Sequence, residues 1–121
     1  VQKIIAILDD EPEMEEIYSL LLDEEIFKKK INFNFFSDAR IFARWIEENK
    51  PDIVMTDINM PYFTGHDVIR IVKSKCPFTK TFIVSGDDEF EHTQMMSELG
   101  VNTYFSKPID LQAFQGSLNL I

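Results

Sequence analysis

Five short apolar runs alternate with stretches of helical hydrophobic spacing, and this alternation constrains the fold more than any other feature of the chain. Ile4 to Leu8, Ile53 to Met55 and Phe82 to Val84 are unbroken apolar runs, the pattern of strands buried on both faces. Ile31, Phe33 and Phe35 alternate with Asn32 and Asn34, the period of two that marks a half-covered strand near a sheet edge. Val101 to Phe105 supplies the fifth strand.

Between the strands the spacing changes to that of helices. Pro12 suits a first helical turn, and Met14, Ile17, Tyr18 and Leu21 form one apolar stripe. Asp38 is a cap for a second helix carrying Ala39, Phe42, Ala43 and Ile46, which Asn49, Lys50 and Pro51 stop. Val68, Ile69 and Val72 make a third stripe beyond Gly65, and His92, Met95, Met96 and Leu99 a fourth, closed by Gly100. Asp110 caps a fifth, with Leu111, Phe114, Leu118 and Ile121 pointing one way. Parallel strands need crossover connections, so the alternation predicts an α/β fold with a doubly wound, five-stranded parallel sheet and five helices on two faces. In such sheets ligands sit outside the carboxyl ends of the strands, where strand order reverses.

The 121 residues, 45% of them hydrophobic, are enough for one packed core, and residues 1–121 are expected to form one domain. Twenty-one acidic against 12 basic residues give a formal charge of −9, which repels a nucleic-acid backbone; direct nucleic-acid binding by this segment is not expected. The single cysteine, Cys76, has no internal disulfide partner and fits a reducing compartment. No apolar run reaches bilayer length, and Val1 to Leu8 lacks a signal-peptide pattern. A cytoplasmic domain is expected, with no membrane partner; a longer parent chain stays open.

Asp9 and Asp10 follow the first strand, Asp57 the third, Ser85 the fourth and Lys107 the fifth. If the strand order is 2-1-3-4-5, the three carboxylates meet in one crevice. They would repel each other and require a cation, and an all-oxygen donor set suits Mg²⁺. Lys107 adds one positive charge, and the Ser85 hydroxyl can bond an oxygen of a transferred group. The set is suited to a phosphoryl group in flight, with Asp57 as nucleophile.

The residues Asp9-Asp10-Glu11-Pro12, Asp57 with Met60-Pro61 and Gly65, Ile83-Val84-Ser85-Gly86 and Tyr104-Phe105-Ser106-Lys107-Pro108 resemble the signature set of response-regulator receiver domains of two-component signalling, through essentially the whole chain. The 2-1-3-4-5 order rests on that resemblance rather than on periodicity. The resemblance implies a phosphoacceptor at Asp57, Mg²⁺ held directly by Asp10, Asp57 and the backbone carbonyl of Asn59, and by Asp9 through water. It further implies that Ser85 and Lys107 hold the phosphoryl oxygens, with a cis bond before Pro108. Ser85 and Tyr104 would form the switch pair, Asn59 and Asp87 would tune dephosphorylation, and the donor would be a histidine kinase or phosphotransfer protein. Output would pass to a domain or protein through the fourth helix, fifth strand and fifth helix.

Each residue also has a plainer reading. Asp-Asp-Glu-Pro suits a helix start whose acids complement the dipole; Tyr104 suits strand core; Lys107 and the run Asp87, Asp88, Glu89, Glu91 suit solvated surface. His66 and His92 have no metal-ligand spacing and are assigned packing or surface roles. Tyr62 and Phe63 are expected to lie exposed beside the site as a docking surface. Two other functional classes compete. A phosphorylation-independent pseudo-receiver predicts a missing acid, acceptor or lysine, and all are present. A Mg²⁺-dependent aspartyl phosphatase of haloacid-dehalogenase type predicts Asp-x-Asp, whereas position 59 is Asn.

Overall fold

The computed structural model describes residues 2–28, 30–86, 97–101 and 103–119. Strands β1 (Lys3–Leu8), β2 (Ile31–Phe36), β3 (Ile53–Asp57), β4 (Lys80–Ser85) and β5 (Thr103–Ser106) form one sheet in the order β2-β1-β3-β4-β5. Every pairing is parallel, with Leu8 opposite Thr56, Asp57 opposite Val84 and Ser85 opposite Ser106. The sheet is thus doubly wound, and the edge position of β2 agrees with its alternating sequence.

Alternation along the central strands builds two cores. Ile5 and Ile7 of β1 join Ile53, Met55, Phe82, Val84 and Phe105 on one face, covered by Tyr18, Leu22 and Phe114. Ala6, Leu8 and Val54 join Ala39, Phe42, Ile46, Val68 and Val72 on the other. Ile58, Ile69, Ile83 and Val101 extend this second face, with Leu99 and Tyr104 packed against them. Phe36, Phe42 and Trp45 form a mutual aromatic cluster, Phe36 meeting Phe42 edge to face and Trp45 tilted against both.

The helices are α1 (Met14–Leu21), α2 (Asp23–Phe27), α3 (Ala39–Trp45), α4 (Gly65–Lys75) and α5 (Leu111–Asn119). The predicted first helix is therefore divided at Leu22, whose backbone departs from helical angles (φ −103°, ψ 7°). Its inward face also differs from the expected stripe: Leu22 is fully buried, whereas Ile17 is 47% exposed. Tyr18 and Leu22 lie one above the other, and Ile17 sits about 100° around the helix from Tyr18, at the margin of the buried face. Of the predicted fourth helix, His92, Met95 and Met96 lie outside the described residues, as do the side chains of Leu111 and Leu118 and the whole of Ile121 on the fifth.

Asp38 caps α3 by accepting from the Arg40 N–H at 2.9 Å, and Asp110 accepts from the N–H groups of Gln112 and Ala113 at 2.9 and 3.2 Å. Thr64 caps α4 in a reciprocal box with Asp67. The Thr-x-x-Asp spacing was the signal for this cap.

Candidate functional site

The register that places β1 beside β3 also brings the residues just beyond their carboxyl ends together. Asp9, one residue beyond β1, is fully buried, and its Oδ1 accepts from the Glu11 N–H at 3.0 Å. Asp57 ends β3, and its Oδ1 accepts from the Ile58 N–H at 2.8 Å. Each carboxylate is thus oriented by its own loop backbone, and its second oxygen turns to a common partner. Lys107 Nζ donates to Asp9 Oδ2 at 2.9 Å and to Asp57 Oδ2 at 3.0 Å. Asp10 completes the cluster: one oxygen from each of Asp9, Asp10 and Asp57 lies within 4.8 Å of the others.

Lys107 reaches this position because the chain beyond β5 is tied to β4. Its N–H donates to the Ser85 carbonyl at 2.8 Å, and the Lys107–Pro108 bond is cis, as the resemblance implies. Ser85, buried at the end of β4, is thereby joined to Lys107 through the backbone. Tyr104 pairs with Ile83 in the register of β4 and β5 and packs against Ile58, Ile69, Ile83 and Val101. Asn59 is exposed, two residues past Asp57. Asp87 lies outside the described residues.

The electrostatics are set by burial and by this pairing. Burial pushes the Asp57 carboxyl above the ordinary carboxylate value, against the opposing pull of Lys107. Burial alone would lower Lys107, but its hydrogen bonds to Asp9 and Asp57 outweigh that and hold it above the usual lysine range. One ammonium stands against three carboxylates. Oxygen-only donors at this spacing, with excess negative charge, fit a hard divalent cation such as Mg²⁺.

Two features of the surroundings have contacts that were not legible in the sequence, although Gly65 belongs to the signature set. Tyr18, expected only as core, lies within electrostatic reach of Asp9, Lys107 and Asp57; burial first, and then Asp9, raise its phenol. Gly65 packs against the acceptor's own backbone: a Cβ there would lie 2.7 Å from the Asp57 carbonyl oxygen and 2.9 Å from Ile58 Cα. The loop between β3 and α4 departs from expectation in one respect. Tyr62 is 72% exposed as foreseen, but Phe63 turns inward with Met60 against the Leu8, Phe42 and Val68 core. A groove of about 500 Å³ beside Lys107 is lined by Glu11, Met14, Ile17, Leu21, Pro108 and Ile109.

Comparison with known proteins agrees with this geometry. Residues 5–119 match the family described as the response regulator receiver domain. A curated relative, the uncharacterized transcriptional regulatory protein YesN of Bacillus subtilis (strain 168), is 34% identical over 76 residues, covering 63% of this chain and 21% of that protein. Indeed, the chain spans only about a fifth of the length of the first curated relatives it matches. Among solved structures, a response regulator receiver protein from Pseudomonas putida superposes with a TM-score of 0.87 at 23% identity, covering 100% of this chain and 98% of that one. The receiver domain of a sensor histidine kinase from Pseudomonas aeruginosa PAO1, solved with magnesium coordinated in its active site cleft, gives 0.82 at 16% identity, with 99% and 97% covered. The sheet order, the two-sided helical layering and a family match over nearly the full length lead to one conclusion: this chain belongs to the response regulator receiver domain family.

Proposed function

We propose that the protein accepts a phosphoryl group on Asp57 from a phosphohistidine of a histidine kinase or phosphotransfer protein and converts it into a change of shape read by an output domain or partner. The observation that carries this reading is the Lys107 ammonium, held between Asp9 and Asp57 at 2.9 and 3.0 Å with Asp10 alongside. A carboxylate so placed is oriented and partly desolvated, which favours attack over solvation. Asp57 forms a new O–P bond while the donor's P–N bond breaks, and the departing imidazole nitrogen keeps the electron pair. Lys107 stays charged throughout and faces the phosphoryl oxygens as negative charge gathers on them. The Ser85 hydroxyl takes another of these oxygens.

Asp10, Asp57 and the Asn59 carbonyl would hold Mg²⁺, with Asp9 acting through water; when bound, the ion offsets the negative charge shared by the acids and the incoming group. The magnesium coordinated in the active site cleft of the Pseudomonas aeruginosa receiver supports a divalent-cation site in this cleft. A donor side chain would approach past the groove beside Lys107. A phosphoryl group carries roughly −1.5 to −2 charges in an ordinary phosphoester, enough to bias Ser85 and Tyr104 between two arrangements. Output is then read on the face formed by the fourth predicted helix, β5 and α5, and Asn59 and Asp87 tune how long the acyl phosphate survives. The excess of acidic over basic residues argues against nucleic acid as this segment's partner, and no helix among the described residues is long and apolar enough to cross a membrane. We place the domain in the cytoplasm.

Incubation with a small acyl-phosphate donor and Mg²⁺, followed by intact mass measurement, tests the reading. One added phosphoryl group in the wild type, absent in Asp57→Asn, is expected. An unchanged mass would instead support a pseudo-receiver, and turnover of phosphate esters an aspartyl phosphatase.

A further inference from the structure

Tyr62 has φ 70°, the left-handed region that side chains with a Cβ seldom occupy. The Phe63 N–H donates to the Pro61 carbonyl at 2.8 Å across it. A hydrogen bond from residue i+2 to residue i with positive φ between them is the rarer, strained form of the γ-turn. Met60 and Phe63 both pack into the core below, so the chain must reverse in the two residues between them, and Tyr62 is the point forced outward. Such strain persists only where its surroundings hold it.

The holding contact comes from the neighbouring helix. The Arg40 guanidinium lies over the Tyr62 ring, 3.8 Å from its centroid. Arg40 is itself fixed by a two-point pairing with Asp38, Nε to Oδ1 at 3.1 Å and Nη2 to Oδ2 at 2.8 Å. The loop's two ends are independently closed, by the Gly65 N–H on the Ile58 carbonyl at 2.7 Å and by the Thr64–Asp67 box. Residues 59–63 run between these closures and carry the stack at their apex.

We propose that Tyr62, clamped by Arg40, is a positioning residue for phosphoryl chemistry at Asp57. The stack sustains the strained turn, and the turn sets the path of residues 59–63 between the closed ends, with Asn59 two residues past the acceptor. This inference rests on the phosphoacceptor reading above, and neither residue touches the reacting atoms.

An exposed cation–π contact corresponds to about a two- to fivefold change in an equilibrium, and that is the scale of effect expected. Amide hydrogen exchange in the metal-free protein reads the turn, and acyl-phosphate formation and loss read the chemistry. Arg40→Ala and Tyr62→Ala should speed exchange at the Phe63 amide about two- to fivefold and change the phosphorylation or dephosphorylation rate by a similar factor. Tyr62→Phe, which keeps the ring face and loses the hydroxyl's contact with Arg40, should stay closer to wild type than Tyr62→Ala in both. Tyr62→Gly, for which positive φ carries no strain, should keep the turn without the stack and make a further Arg40→Ala silent. A wild type that takes up phosphoryl while Arg40→Ala leaves its rates unaltered overturns the inference alone. A wild type that takes up none overturns the phosphoacceptor reading and this inference together.

Discussion

At the scale of single residues, the site is an arrangement of one lysine among three acids, and its precision depends on groups that carry no charge. Lys107 and Asp57 were readable as motif members, since a strand-end acid and a lysine before proline recur together in the family pattern. What the Asp57 backbone rests on was not readable as a contact. Gly65 leaves no room for a side chain, because the atoms a Cβ would meet are backbone of Asp57 and Ile58 at 2.7 and 2.9 Å. Backbone cannot rotate away as a side chain can. Gly65→Ala is therefore expected to destabilise the fold by about 1–3 kcal/mol, as overpacking does, and to slow phosphorylation by displacing the acceptor. Urea denaturation and the rate of acyl-phosphate formation measure the two effects.

At the scale of elements, helix ends show how local chemistry and tertiary context divide the work. The Asp38 and Asp110 caps could be read directly from their places before helical stripes. The Thr64–Asp67 box was also present as a spacing, and it starts the helix that begins eight residues past Asp57. The Thr64 backbone N–H, and then its hydroxyl, hold the Asp67 carboxyl below its usual range. A lowered folded value means that the ionised carboxylate stabilises the fold: the contribution is full above the unfolded value near pH ~4 and is lost as pH falls through the lowered folded value. Asp67→Ala should then cost about 0.3–1 kcal/mol at pH 7, the scale for an acid in a first helical turn at an exposed site. In urea denaturation that difference should shrink progressively as pH falls below about 4. The break at Leu22 carried no such signal. Neither glycine nor proline marks it, and a helical period extends through it, so only packing against the sheet shows that Leu22 turns inward and Ile17 outward.

At the scale of the whole molecule, parallel pairing of β1 with β3 concentrates acids contributed by separate parts of the chain. In the metal-free protein this concentration opposes folding, since Asp57 is half-buried beside the fully buried Asp9 and a single lysine offsets both. A divalent cation bound only by the folded state should relieve that opposition. At a hundredfold excess over its Kd, Mg²⁺ is expected to stabilise the fold by about 2.7 kcal/mol, visible as a rise in Tm. Asp10→Asn should abolish most of this shift while leaving the apo protein folded; an equal shift in the variant would count against the proposed donor set.

By itself the sequence determined the class of fold and the residues available for chemistry. Hydrophobic periodicity is set by local geometry, period two in a strand and 3.6 in a helix, so strands, helices and the acids at their ends are written along the chain. Only the tertiary structure decided which ends meet. Strand order, which the family resemblance implied but periodicity did not, the approach of Lys107 to Asp9 across 98 positions, the inward turn of Phe63 and the Arg40 stack on Tyr62 are contacts between segments. They arise from burying both faces of one sheet, and no period along a single segment encodes which other segment will cover it.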